Sequence, residues 1–232
     1  MSFLKSAKRM VRSVLDRIDV WRHDKEYAQR FSETYNQKKW GAGLETVSGE
    51  GSTMERTATV RKELPGLLRE LNVRSMIDAP CGDYYWMKEI ALPVESYQGF
   101  DLVPEIIEKN KQQYEKAPAV TFAVKDLIID PLPKADLIMI RDCFIHLSLG
   151  HIKKILRNVV DSGTTWLLCS HSVQETSNRD ISSGPGCRGV NMTLAPLHLP
   201  EPRRVIVEEI KNEKPYYVLG LWHRDEVAAA IS

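Results

Sequence analysis

Five short apolar runs, spaced by helix-like segments, constrain the fold of this chain more than any other feature. They are SMIDA (75–79), SYQGFD (96–101), AVTFAV (119–124), ADLIMI (135–140) and TWLLCS (165–170). Each is of strand length and partly β-branched or aromatic, as strands buried on both faces of a parallel sheet are. Helical patterns fall between them at 84–91, 104–114 and 150–160. Pro104 stands where a first helical residue belongs, with acids just behind it. Strand and helix alternating in this way predict a doubly wound α/β sheet. Two further runs, RRVIVEEI (203–210) and PYYVLGLWH (215–223), flank a short KNEK turn and read as an antiparallel hairpin. The expectation is a seven-stranded, mostly parallel sheet whose last strand is antiparallel, with an N-terminal helical extension.

A helix is expected from about Ser52 or Thr53 to Leu71, with Leu64, Leu67, Leu68 and Leu71 on one face and a kink or break at Pro65. The polar stretch before it, rich in glycine and serine at its end, is either a linker or an ordered cover for a site. Residues 1–22 interleave Lys5, Lys8, Arg9 and Arg12 with Phe3, Leu4, Val11 and Leu15. That pattern is an amphipathic basic helix, suited to packing on its own domain or a partner subunit, or to peripheral contact with an anionic membrane surface. The division read from these features is 1–48 as helix and cover, and 49–232 as the main domain. No apolar run has the length of a membrane span. A net charge of +1 gives no argument for nucleic acid as a partner. Cys81, Cys143, Cys169 and Cys187 form no CxxC pair, which fits reduced thiols in a cytoplasmic protein.

In an open α/β sheet, ligands bind beyond the carboxyl ends of the strands. The first strand ends in DAPCGDYYW (78–86). Gly82 lets a ligand approach the backbone, and a helix following the turn would offer free N–H groups to a carboxylate. Asp78 and Asp83 are acceptors for an ammonium group, so the turn suits a zwitterionic amino-acid moiety. The second strand ends at Asp101, followed by Leu102, where such sheets hold ribose hydroxyls. After the third strand, Asp126 and the Leu127 N–H suit an exocyclic adenine amine, with Ile128 on the ring.

These residues resemble class I S-adenosylmethionine-dependent methyltransferases, over about Gly49 to Trp222. The likeness rests on MIDAPCGD, GFD, KDL and ADLIMIRDCFIHL, and on the terminal hairpin. It implies a Rossmann-like methyltransferase fold with S-adenosyl-L-methionine as cofactor. The family's turn is usually acid-x-Gly-x-Gly-x-Gly; here only Gly82 remains, with Pro80 and Tyr84 in the other glycine places. YNQKKWG, SGEGSTMERT, RDCFIHLS and GVNMTLAPLHLPEP look further like small methyltransferases associated with cell-surface or viral glycan genes. In that group Ser48, Gly49, Gly51 and Ser52 would close over the methionine end of the cofactor, and Arg61 would meet its carboxylate.

Methyl transfer to an alcohol needs an aligned nucleophile and a proton acceptor. If the turn after the fourth strand continues as helix, Asp142 and His146 stand i, i+4 on one face, so that the carboxylate would orient the imidazole base. His171, after the fifth strand, is the rival base. Arg141, Arg188 and Asn191 are candidates for holding the acceptor, and Arg141 also lies at the cofactor. The long stretch 176–199 is too extended for a passive link and is expected over the strand ends. No second carboxylate accompanies His171, so no metal site is expected. The acceptor expected is a sugar or glycan hydroxyl; a small amine, phenol or phosphorylated sugar remains open. Competing readings are a non-catalytic cofactor-fold partner protein and an NAD-dependent sugar enzyme. The latter requires Gly-x-Gly-x-x-Gly and Tyr-x-x-x-Lys, and neither is in place.

Overall fold

In the computed structural model, which describes residues 26–115 and 119–231, the sheet is built outward from β1 (Ser75–Asp78). On one side lie β2 (Ser96–Asp101) and β3 (Val120–Val124); on the other, β4 (Leu137–Ile140) and β5 (Trp166–Ser172). All of these pair in parallel. β6 (Arg204–Lys211) and β7 (Lys214–His223) form the hairpin, and β7 inserts antiparallel between β5 and β6. The order is β3-β2-β1-β4-β5-β7-β6. The chain therefore reverses its winding direction between β1 and β4, and the crevice that ligands use in such sheets opens there. The doubly wound, mostly parallel α/β sheet of seven strands is the one expected.

The helices differ more from expectation. α1 covers 26–36, and α2 is Ala58–Glu70. α2 starts later than expected because Thr53 closes a separate turn, donating to the Glu50 carbonyl at 2.9 Å. Pro65 does not break it. Val60, Leu64, Leu67 and Leu68 are buried on one stripe, so both halves are held against the sheet although one N–H is missing. α3 (Pro104–Tyr114) matches its expected range. α4 (Leu149–Asp161) is capped by Ser148, whose side chain accepts from the His151 N–H at 3.2 Å. Its buried Leu149, Ile152, Ile155, Leu156 and Val159 contribute about 1.5–3 kcal/mol each by burial. α5 (Arg224–Ile231) ends the described chain.

No α-helix follows β1. The stretch 84–91 holds only a short 3₁₀ turn at Met87–Glu89. Tyr84 sits at φ 58°, which a continuing helix forbids, and its ring is buried against Tyr97, Tyr114 and Phe122. Aromatic packing overrides helical pattern here. The expected helix N-terminus beside the glycine turn is thus absent from the site.

The residues before α2 are an ordered cover. Tyr27 of α1 is 3% exposed and belongs to the main core with Phe100, Ile140 and Phe144. The amphipathic segment read over 1–22 lies outside the described residues. Among the described residues no helix is long and apolar enough to cross a membrane.

Candidate active site

A cleft of about 750 Å³ lies over the carboxyl ends of β1, β2 and β4, between them and the cover. At its floor is the glycine turn. Gly82 has φ 53°, and a Cβ there would stand 2.5 Å from Ser48 Oγ. Only glycine satisfies both conditions. The cover is tied to this turn through Asp83. Its Oδ2 accepts from Thr46 Oγ1 at 2.7 Å and the Val47 N–H at 3.0 Å, and its Oδ1 from Ser48 Oγ at 3.0 Å. Asp83 does not line the cleft. The expectation that it receives a ligand ammonium is therefore corrected: cover residues have taken its acceptors.

Asp101 is 7% exposed at the end of β2. Its Oδ2 accepts from the Gly82 N–H at 3.1 Å and its Oδ1 from the Val103 N–H at 2.9 Å. Burial still pushes its carboxyl up to about 6. Asp78, at the end of β1, accepts from Tyr97 Oη at 2.6 Å, and burial raises it to about 7. Leu102, Leu127 and Ile128 make an apolar wall beside them. Asp126 accepts from the Ile128 N–H at 2.9 Å and from the Tyr27 hydroxyl. Pro80 and Ser52 also line the cleft. Arg61 does not. Its guanidinium donates to the Met54 carbonyl at 2.8 Å and to Thr57 Oγ1 at 3.3 Å, in the turn that leads into α2. Arg56, just before α2, lines the cleft instead.

Arg141, just past β4, is 7% exposed and faces the cleft. It donates to the Gly51 carbonyl at 2.8 Å and pairs with Asp142 Oδ2 at 3.0 Å and Glu208 Oε1 at 2.6 Å. Its guanidinium lies 5.5 Å from the Trp86 ring centre. Asp142 adopts φ 51° and accepts from Tyr217 Oη at 2.7 Å. The chain then makes a 3₁₀ turn, Phe144–His146, rather than an α-helix. The i, i+4 dyad is therefore not formed. The left-handed Asp142 ends any helical continuation, and its carboxylate belongs to Arg141 and Tyr217.

His146 is held by other means. Its Nδ1 lies 2.9 Å from the Gly186 carbonyl, an acceptor only, so Nδ1 carries the proton and Nε2 is the free acceptor. Among the described residues Nε2 has no hydrogen-bond partner. The Trp40 ring stacks beside the imidazole at 5.3 Å and 33°, and Phe31 meets it edge-on at 6.2 Å. Burial lowers its pKa below the usual imidazole range.

Three other expectations change. His171 is 2% exposed and lies outside the cleft lining; its Nδ1 accepts from the Met192 N–H at 3.1 Å and its ring packs on Trp222. Asn191 is buried, donating to the Glu175 carbonyl at 2.9 Å, and does not line the cleft. Arg188 does line it, but its guanidinium donates to the carbonyls of Phe144 and Leu147 at 2.6 Å each. It braces the His146 turn. The stretch 176–199 has a double use. Pro185, Cys187, Arg188 and Gly189 border the cleft, while Val190, Met192, Leu197 and Leu199 fill the core. Tyr27, Phe31, Trp40, Trp86, Glu208 and Tyr217 line the cleft without having been expected there. The apolar residues every few positions in 27–40 were the available signal for the first three. Glu208 gave none. Among the described residues, no group of three His, Cys, Asp or Glu side chains is placed to hold a metal ion.

A family model described as an O-methyltransferase domain matches residues 52–166. That span runs from the cover to the start of β5 and contains the glycine turn, the three acids and the Arg141–His146 turn. Fold, cleft and match define the class: an S-adenosylmethionine-dependent methyltransferase. No curated protein matches the chain. Among solved structures, the N-methyltransferase NodS of Bradyrhizobium japonicum WM9, in complex with S-adenosyl-L-homocysteine, is similar with a TM-score of 0.58 at 14% identity, over 82% of this chain and 97% of that one. The methyltransferase domain of bacterial CtHen1 gives 0.56 at 13% identity, over 72% and 99%. Human N-acetylserotonin methyltransferase with bound SAM gives 0.51 at 19% identity, over 74% and 51%. At these identities the likeness is one of fold.

Proposed function

We propose that this enzyme methylates a hydroxyl group of a sugar or glycan, with His146 as the general base, and that 49–232 is the methyltransferase domain, preceded by an N-terminal amphipathic helix and cover segment over 1–48. When bound, S-adenosylmethionine supplies a methyl group on a positively charged sulfur and departs as S-adenosylhomocysteine. The residues present fit it. Asp101 is buried, pre-ordered by two backbone N–H groups, and keeps acceptor capacity for ribose hydroxyls. Leu102, Leu127 and Ile128 offer an apolar slot to the adenine, with Asp126 at its edge. Asp78, Pro80, Gly82, Ser52 and Arg141 surround the remaining length of the cleft.

The observation that carries the base assignment is the free Nε2 of a pinned, neutral imidazole. The Gly186 carbonyl fixes the tautomer, Trp40 and Phe31 fix the ring plane, and Arg188 fixes the turn beneath. Nε2 is thereby set to accept the hydroxyl proton as the oxygen gains the methyl group. Trp40 and Tyr216 line the cleft among polar side chains, a mixture of ring and hydrogen-bonding groups that suits a sugar, which presents C–H faces and hydroxyl edges. The test is incubation with labelled S-adenosylmethionine and a panel of nucleotide sugars and oligosaccharides, read by mass spectrometry. A methyl group on a sugar oxygen supports the reading. Transfer only to amines or phenols in a parallel panel overturns it.

A further inference from the structure

Glu208 sits at a fault in the sheet. The β6–β7 register passes from Val207↔Val218 to Glu209↔Tyr217, leaving Glu208 as the extra residue of a β-bulge. Bulges re-aim side chains, and they recur beside active sites. Two residues back, Ile206 packs in the same cluster as Met76 and Met139. Alternate positions on a strand share a face, so Asp78, Arg141 and Glu208 emerge on one side of the sheet. All three line the cleft.

The Glu208 side chain is 4% exposed. Oε1 accepts from Arg141 at both Nε (2.8 Å) and Nη2 (2.6 Å), but Oε2, equally shut off from water, has no hydrogen-bond partner among the described residues. A buried carboxylate oxygen left unpaired is costly. Charge is also out of balance. Arg141 faces both Glu208 and Asp142, and the nearby Arg56 is engaged with Glu209 at 3.1 Å. The cluster has one negative charge too many. Burial raises the Glu208 carboxyl despite Arg141, the direction an uncompensated anion gives.

We propose that Glu208 anchors an ammonium-binding subsite, and that the group it takes is the α-ammonium at the amino-acid end of the cofactor. The inference rests on the S-adenosylmethionine reading and deepens it. A cation with N–H donors supplies both the missing charge and the missing donor. Of the other acids at this end, Asp83 serves the cover, Asp78 spends Oδ2 on Tyr97, and Glu50 is exposed to solvent, so the buried oxygen without a partner is that of Glu208. The Arg141 that Glu208 grips also holds the Gly51 carbonyl and pulls on the Asp78 carboxyl. The subsite therefore adjoins the β1 turn rather than the His146 end of the cleft.

The test is calorimetry on the full chain with two ligands: S-adenosylhomocysteine, and its deamino analogue, which keeps the nucleoside, thioether and carboxylate. Glu208→Gln should weaken S-adenosylhomocysteine ten- to a hundredfold and change the analogue by less than about threefold, since only the first brings an ammonium to the site. Equal loss for both ligands, or for neither, overturns the proposal. If Glu208→Gln loses its cooperative melt, Glu208→Asp, which keeps the charge but withdraws the oxygen by one methylene, is measured instead with the same expectation. Wild type binding neither ligand would instead overturn the S-adenosylmethionine reading itself, and the subsite with it.

Discussion

His146 shows how far a single residue's role depends on its neighbours. Removing it should lower kcat roughly 10²–10⁴-fold while S-adenosylhomocysteine still binds in calorimetry. A folded His146→Ala enzyme turning over at wild-type rate would assign the proton to another group. Because burial lowers the His146 pKa, the base stays neutral further into acid than a free imidazole. The rate of wild type should fall as pH drops through a value below that of ordinary histidine, and a pH–rate profile on the acceptor found by the panel reads this directly. Asp142→Asn should act on Arg141 and Tyr217, and by removing a charge that raises the imidazole pKa it should keep the acid limb but move it to lower pH. On the cofactor side, Asp101→Ala should weaken S-adenosylhomocysteine by about 1–3 kcal/mol, through loss of charged hydrogen bonds to the ribose. Unchanged affinity would remove the ribose assignment.

Among the elements, the cover and the long stretch before β6 matter most, and the sequence showed each in part: 176–199 was expected over the strand ends, where Pro185 to Gly189 lie, but not as a contributor of core residues such as Met192 and Leu197. The run ending in Ser48–Ser52 could be read as linker or cover; what made it a cover is Asp83, an acid whose partners lie 35 to 37 positions away. Asp83→Ala should free residues 46–48, seen as faster amide exchange there, with little change in β1 or β4. Arg188→Ala tests the brace. Since its guanidinium holds the Phe144 and Leu147 carbonyls, the variant should lose kcat by disordering the His146 turn, and not merely raise the KM for acceptor. A pure KM effect would return Arg188 to direct contact with substrate. The helix expected after β1 failed for a related reason. The pattern at 84–91 is compatible with a helix, but Tyr84 is worth more to the core in a left-handed turn, packed against three other rings.

For the whole molecule, two carboxyls buried beneath the cleft couple stability to pH. Asp78 and Asp101, raised to about 7 and about 6, hold their protons more tightly folded than unfolded. Their contribution is therefore full at low pH and is lost as pH rises from about 4 to about 7. His171, lowered to about 4 by burial, works in the opposite sense over the same range. The Asp78 part is isolated by difference: the melting temperature of wild type relative to Asp78→Asn should fall between pH 5 and pH 7.5, and a constant difference would contradict the burial argument. Cofactor binding acts on the same equilibrium. S-adenosylhomocysteine at about one hundred times its Kd should stabilise the fold by about 2.7 kcal/mol, a rise of roughly 5–10 °C in Tm, and NAD should give none.

The sequence by itself determined the sheet, the place of the crevice and the acids along it. Those are properties of short range: a strand is written in its own residues, and Asp78, Asp101 and Asp126 are placed by the strand ends they follow. Only the tertiary structure decided which side chains reach the cleft. His171, Asn191 and Arg61 carry the right chemistry but spend it on nearby backbone or core, while Trp40 and Glu208 arrive from opposite ends of the chain. Whether a polar side chain is free to meet a ligand depends on which donors and acceptors the fold brings beside it, and those lie one turn away for Arg61 but 67 positions apart for Arg141 and Glu208.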